Sequence, residues 1–203
     1  MTDFIRFFAP LYFIFFFITA FLGASLLVYT RTGRRPDVLP SDDSAYGLIG
    51  RYFKIILTAL FIYTLLILLF PEKILSAFTI RFLDHPVSRY AGIFMMVSAF
   101  VWVITAQIQM KDSWRIGIDH TTKTKLVVTG LFRISRNPVF LGMTVALIGF
   151  LFLVPTIISF TFLLSGHMLM QIQIRLEEEY LLQQHGAGYM NYKKTTGRML
   201  CFH

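Results

Sequence analysis

Four stretches of the chain run without Asp, Glu, Lys or Arg for lengths that matter to a membrane. There are 24 such residues between Arg6 and Arg31, 17 from Ile55 to Pro71, 21 from Tyr90 to Met110 and 37 from Pro138 to Ile174. Each of the first three approaches the roughly 20 residues a helix needs to cross a bilayer. The first is read as a span and not as a cleaved signal peptide, because its apolar core is too long and its start has only Asp3 and Arg6. The last stretch would be about 55 Å long as one helix, far beyond a hydrocarbon core of roughly 30 Å. Pro155 divides it into 17 residues before and 19 after. Proline removes a backbone donor and clashes with the preceding turn. The pattern therefore predicts two short spans turning at Val154–Thr156, with a single kinked helix as the alternative.

Charge separates the two arrangements. Five spans put fifteen of the Lys and Arg residues on one side and four on the other, whereas four spans give eleven against eight. Cytoplasmic loops carry the excess of cations, so the five-span topology is expected, with the N-terminus outside. The loop from 109 to 137 and the tail from 175 onward then share the cytosolic face.

Composition agrees. The 203 residues are 56% hydrophobic and only 15% charged, too few charges to cover a soluble domain of this length. The expected fold is all-α: a polytopic membrane helix bundle of about five transmembrane helices in one domain, residues 1–203. Residues 1–110 supply three spans; residues 111–203 supply a loop, the C-terminal helical hairpin and a cytosolic tail. The net charge of +8 suggests nucleic acid at first sight, but the cations flank apolar segments, so the expected partner is the lipid bilayer. The single cysteine, Cys201, offers neither an intramolecular disulfide nor a metal cluster, and no obligate protein partner is indicated.

Polar chemistry gathers at the two ends of the hairpin. "RISRNPVFLG" opens it and "RLEEEY" closes it. Asn137 is placed to cap the first hairpin helix, Pro138 suits its first turn, and Gly142 leaves room for close approach. Arg175 and Glu179 stand four apart, hence on one helical face. A carboxylate, an arginine, aromatic rings and helix-end donors there suit a water-soluble zwitterion on one side and a lipophilic partner on the other. Blander roles compete: Arg133 and Arg136 as lipid-phosphate anchors, Arg175 as a snorkelling cation, the three glutamates as a solvated face. His167 reads as a packed or hydrogen-bonded residue, "FIFFF" as lipid-facing bulk, and Trp102 and Trp114 as an interfacial belt.

"TKLVVTGLFRISRNPVFLG" followed by "RLEEEYLLQQHGAGYMNYKKTTGR" resembles the isoprenylcysteine carboxyl methyltransferase family and its prokaryotic relatives. The matching positions are Gly130, Phe132, Arg136, Asn137, Pro138, Phe140 and Gly142, then Glu177 to Glu179, Gly186, Tyr189, Tyr192 and Arg198. Asn137 and Phe140 depart from the family's histidine and tyrosine. The resemblance covers about the last 95 residues.

It implies an S-adenosylmethionine-dependent methyltransferase acting on a lipophilic methyl acceptor, with a carboxylate as the leading acceptor and no metal. It also implies cofactor contacts at Thr124, Lys125, Leu126, Val127, Phe132, Asn137, Pro138, Val139, Phe140 and Glu179. Arg175 would hold the reacting group of the acceptor, with Glu179 beside it. The rivals are a phospholipid amine or small thiol as acceptor, an NADPH-dependent reductase of the sterol type, and a non-enzymatic membrane scaffold or transporter.

Overall fold

The computed structural model describes residues 1–33, 42–115, 117 and 125–200. The first span, Thr2–Thr32, is built from α1 (Thr2–Phe17), a π-helical turn (Ile18–Gly23) and α2 (Ala24–Thr32). Gly33, at φ 67°, closes it in the left-handed conformation that glycine adopts without strain. Next come α3 (Ala45–Leu69), the short α4 (Pro71–Ser76) and α5 (Pro86–Met110). The C-terminal half holds α6 (Pro138–Leu153), α7 (Ile157–His185) and α8 (Ala187–Thr195). Among the described residues four helices are long and apolar enough to cross a membrane, and the chain is a polytopic helical bundle. The fifth expected span, α6, has 16 residues and is the short member. At 1.5 Å per residue it is about 24 Å long, less than a hydrocarbon core.

The chain does break at Val154–Thr156, so the single kinked helix is excluded. Thr156 caps α7 by accepting from the Ser159 amide at 3.2 Å. The turn is tied down from outside. Ile80 N donates to Pro155 O at 2.7 Å, Ile157 N donates to Phe78 O at 3.0 Å, and the Tyr63 hydroxyl lies 2.8 Å from Thr156 Oγ1. Thr144 on α6 reaches His167 Nδ1 on α7 at 3.4 Å, as expected of a hydrogen-bonded histidine between antiparallel helices.

Helices α5 and α6 form the tightest pair. A Cβ on Gly92 would stand 2.5 Å from Gly149 O and 2.6 Å from Leu153 N. Small residues let the two backbones touch, which gives packing energy that lipid cannot match. Gly142 serves the same contact farther along, where a Cβ would meet Val103 at 2.5 Å. The first span is held against α5 by Tyr12, whose hydroxyl donates to Met96 O at 2.8 Å, and by Gln107, whose Nε2 donates to Ala20 O at 2.7 Å. Arg6 Nε donates to Leu68 O at 2.8 Å, pinning the other end of the span to α3.

These contacts gather the end of the first span, the start of α3, the end of α5, the start of α6 and the end of α7 at one end of the bundle. That is the end the cation asymmetry marks.

The Phe-rich stretch is not uniformly lipid-facing. Phe16 is buried in the core and Phe13 packs against it, while Phe15 is exposed. A helix turns successive side chains by about 100°, so one run of phenylalanines serves core and lipid together.

Candidate active site

Glu178 is the electrostatic centre of the hairpin's open end. Its Oε1 accepts from Arg136 Nε at 3.1 Å and Nη2 at 2.7 Å, and its Oε2 accepts from Arg198 Nε at 3.1 Å and Nη2 at 3.0 Å. Each arginine thus brings two N–H groups to one carboxylate oxygen, and such charge-assisted bonds are about twice as strong as neutral ones. The side chains of Glu178 and Arg136 are each 6% exposed, so this is an interior cluster. Arg136 is therefore not a lipid anchor; its guanidinium is turned inward, while Arg133 remains exposed.

The C-terminal segment closes over this cluster. Arg136 N donates to Gly197 O at 3.0 Å, and its Nη1 donates to the carbonyls of Lys193 and Thr196. Asn137 stands at the N-cap position of α6, but its side chain makes no capping bond. Its Nδ2 instead donates to Arg198 O at 3.0 Å and approaches Glu178 Oε1 at 3.5 Å. The expected cap is thus replaced by a tie between the hairpin and the strap. Tyr192 adds another by donating its hydroxyl to Phe132 O. Burial, together with the Glu178 carboxylate, pushes the Tyr189 hydroxyl up to about 12, so the residue is a neutral phenol at physiological pH.

Two cavities meet beside this latch. The smaller, about 120 Å³, is lined by Lys125, Leu126, Val127, Phe132, Arg136, Glu177, Tyr180 and Tyr192 among others. The larger, about 350 Å³, lies between helices and includes Val139, Phe140, Trp114, Gln107, Gln173 and Glu177 in its wall. Arg115, Gly117 and Glu177 belong to both. Gln173 Nε2 donates to Glu177 Oε1 at 2.8 Å and orients that carboxylate. Through Phe16, Phe17, Phe21, Phe53, Leu57 and Met143 the larger cavity continues into a predominantly apolar one of about 400 Å³ between α1, α3, α6 and α7.

The expected site residues divide accordingly. Lys125, Leu126, Val127 and Phe132 line the small polar cavity; Val139 and Phe140 line the larger one. Asn137 joins the latch, and Pro138 starts α6 with its carbonyl accepting from Trp102 Nε1 at 2.9 Å. Thr124 lies outside the described residues. Arg175 and Glu179 are both exposed, and neither is among the residues lining these cavities. Arg175 Nη1 donates to Gln171 O at 2.6 Å and to Gln171 Oε1 at 3.1 Å, not to Glu179.

Trp114 is buried in the cavity wall and is not part of an interfacial belt. Sequence reasoning placed Glu177, Glu178 and Arg198 in the motif but gave them no separate roles. Gly130 also emerges as structural: at φ 64° it lets Leu131 N donate to Gln109 Oε1 at 2.8 Å, where any Cβ would strike the Gln109 side chain.

The donor set fits a cationic nucleoside cofactor: one oriented carboxylate, the Phe132, Tyr180 and Tyr192 rings and the non-helical backbone of residues 125–127. No match is found among curated proteins. The phospholipid methyltransferase family, a relative of the isoprenylcysteine carboxyl type, matches residues 87–187, from the start of α5 to the start of α8, and points to a membrane methyltransferase.

Proposed function

We propose that this protein transfers a methyl group from S-adenosylmethionine to a phospholipid amine, at the end of the bundle formed by residues 125–137, the end of α7 and α8. The observation that carries this reading is the meeting, at one carboxylate, Glu177, of a small cavity lined by Lys125 and Arg136 and a larger inter-helix cavity that continues into an apolar one. S-adenosylmethionine supplies, when bound, a methyl carbon on a sulfonium that departs as a neutral thioether.

An amine acceptor is mostly protonated in water and must lose a proton before its lone pair can form the new N–C bond. Glu177 takes that proton, and Gln173 holds it in position. Phe132 and Val127 line the cofactor side; Trp114 and Phe140 line the acceptor side and exclude water. Alignment and desolvation supply much of the remaining acceleration. The latch at Glu178 holds the start of α6, the end of α7 and the C-terminal strap in register around the site. The cation asymmetry puts this end in the cytosol, with the N-terminus outside.

A carboxylate acceptor is the second reading. It rests on the motif resemblance and on Lys54 and Arg115 in the larger cavity, and it needs no base. The deciding experiment is incubation with methyl-labelled S-adenosylmethionine and phosphatidylethanolamine vesicles, followed by identification of the labelled lipid. A base-stable methylamine supports the first reading. A base-labile methyl ester formed from an added prenylcysteine, with no labelled phospholipid, supports the second.

A further inference from the structure

The larger cavity holds more polar groups than proton removal requires. Besides Glu177, Gln173 and Gln107, its wall includes Lys54 from α3 and Arg115 from the segment after α5. Lys54 lines this open cavity from α3 with Gly50, Phe53 and Leu57 and is itself exposed, as are Tyr52 and Ile55 beside it. Residues three and four apart share a helix face, so this placement is a property of the helix and not of a wandering side chain. An exposed ammonium on such a span keeps its head in water at the cavity mouth, where a headgroup anion can meet it. Among the described residues no carboxylate forms an ion pair with Lys54. Arg115 lies where the two cavities join, together with Glu177.

We infer that Lys54 and Arg115 form the phosphate subsite of a phospholipid acceptor. The inference rests on the proposed function and extends it from the amine to the rest of the headgroup. The two cations complement the phosphodiester, Glu177 complements the ammonium, and the apolar cavity continuing past Phe53, Leu57 and Met143 takes an acyl chain. A zwitterionic headgroup is the ligand class that satisfies both signs at once.

The test compares wild type, Lys54→Gln, Arg115→Gln and Lys54→Arg in detergent micelles. Retention of phosphatidylethanolamine and of phosphate-free diacylglycerol is measured by native mass spectrometry. S-adenosylhomocysteine affinity is measured beside it by calorimetry. Each glutamine variant should lose about tenfold or more in phosphatidylethanolamine affinity, the size expected for one charge-assisted hydrogen bond, with diacylglycerol unchanged, and Lys54→Gln should leave S-adenosylhomocysteine binding unchanged. Lys54→Arg should bind the phospholipid nearly as wild type, which shows that α3 remains folded when position 54 changes. Equal loss for both lipids, or no loss for either, overturns the subsite. Weakened S-adenosylhomocysteine binding in Lys54→Gln would put that cation on the cofactor and overturns it as well. Because lipid retention is read without turnover, failure of methyl transfer in the wild type would sink the proposed function and leave this result to stand or fall alone.

Discussion

Replacing Glu178 by glutamine tests the latch at its centre. The substitution keeps the shape of the side chain and removes its charge, leaving Arg136 and Arg198 without their common counter-ion. Four arginine N–H bonds end on this carboxylate. Breaking a buried ion pair from one side costs about 3–5 kcal/mol. The Arg136 side chain is 6% exposed, but Arg198 is 36% exposed and recovers hydration, and the amide oxygen still accepts a bond. The low end, about 3 kcal/mol, is therefore expected.

For a chain of this size that corresponds to a fall in Tm of about 6–12 °C. Thermal unfolding in detergent, followed by tryptophan fluorescence, gives the number. Glu179→Gln, one residue away but exposed, should shift Tm little. A double variant, Glu178→Gln with Arg198→Gln, should recover part of the loss because one stranded charge is gone. Unchanged stability in Glu178→Gln, or equal losses at positions 178 and 179, would refute the latch.

Gly92→Ala should destabilise the bundle by about 1–3 kcal/mol, because its new methyl would press on the Gly149 and Leu153 backbone, not on a movable side chain; the same melting assay checks it. Arg175→Ala should leave methylation of phosphatidylethanolamine little changed, since Arg175 is exposed, lies outside the cavity walls and donates to Gln171 in its own helix. Near-complete loss of transfer with intact cofactor affinity would instead make Arg175 the cation that holds the acceptor. Tyr189 has a folded-state value raised from 10.0 to about 12, so its contribution is complete below pH 10 and is lost as pH rises through 12. Tyr189→Phe should flatten that alkaline loss in a series of melts across the window.

Much of this architecture is legible in the residue pattern. Charge-free lengths mark the spans, and Pro155 marks the turn because no helix of 37 residues fits a bilayer. Residues 125–127 and Phe132, which the motif resemblance groups as cofactor contacts, line one cavity together.

The roles within "RLEEEY" were not legible, for a geometric reason. Three consecutive helical residues point about 100° apart, so Glu177 faces the cavities, Glu178 the latch and Glu179 solvent. Identical side chains carry no phase, and only the packing of Arg136 and Arg198 from distant segments sets it. Asn137 shows the same limit. Its local context reads as a cap, yet the strap carbonyl at Arg198 outcompetes the helix amides for its side chain. The apolar cavity was hidden because phenylalanine facing a void and phenylalanine facing lipid look alike in sequence.

The central claim is that chemistry occurs at the carboxylate where the two cavities meet. The most direct measurement is the rate of methyl transfer from labelled S-adenosylmethionine to phosphatidylethanolamine in wild type, Glu177→Gln and Glu179→Gln, at equal folded protein. Loss of a positioned base costs about 100-fold or more, so Glu177→Gln should fall by that factor while Glu179→Gln stays close to wild type. Full activity in Glu177→Gln, or a collapse confined to Glu179→Gln, would contradict the account.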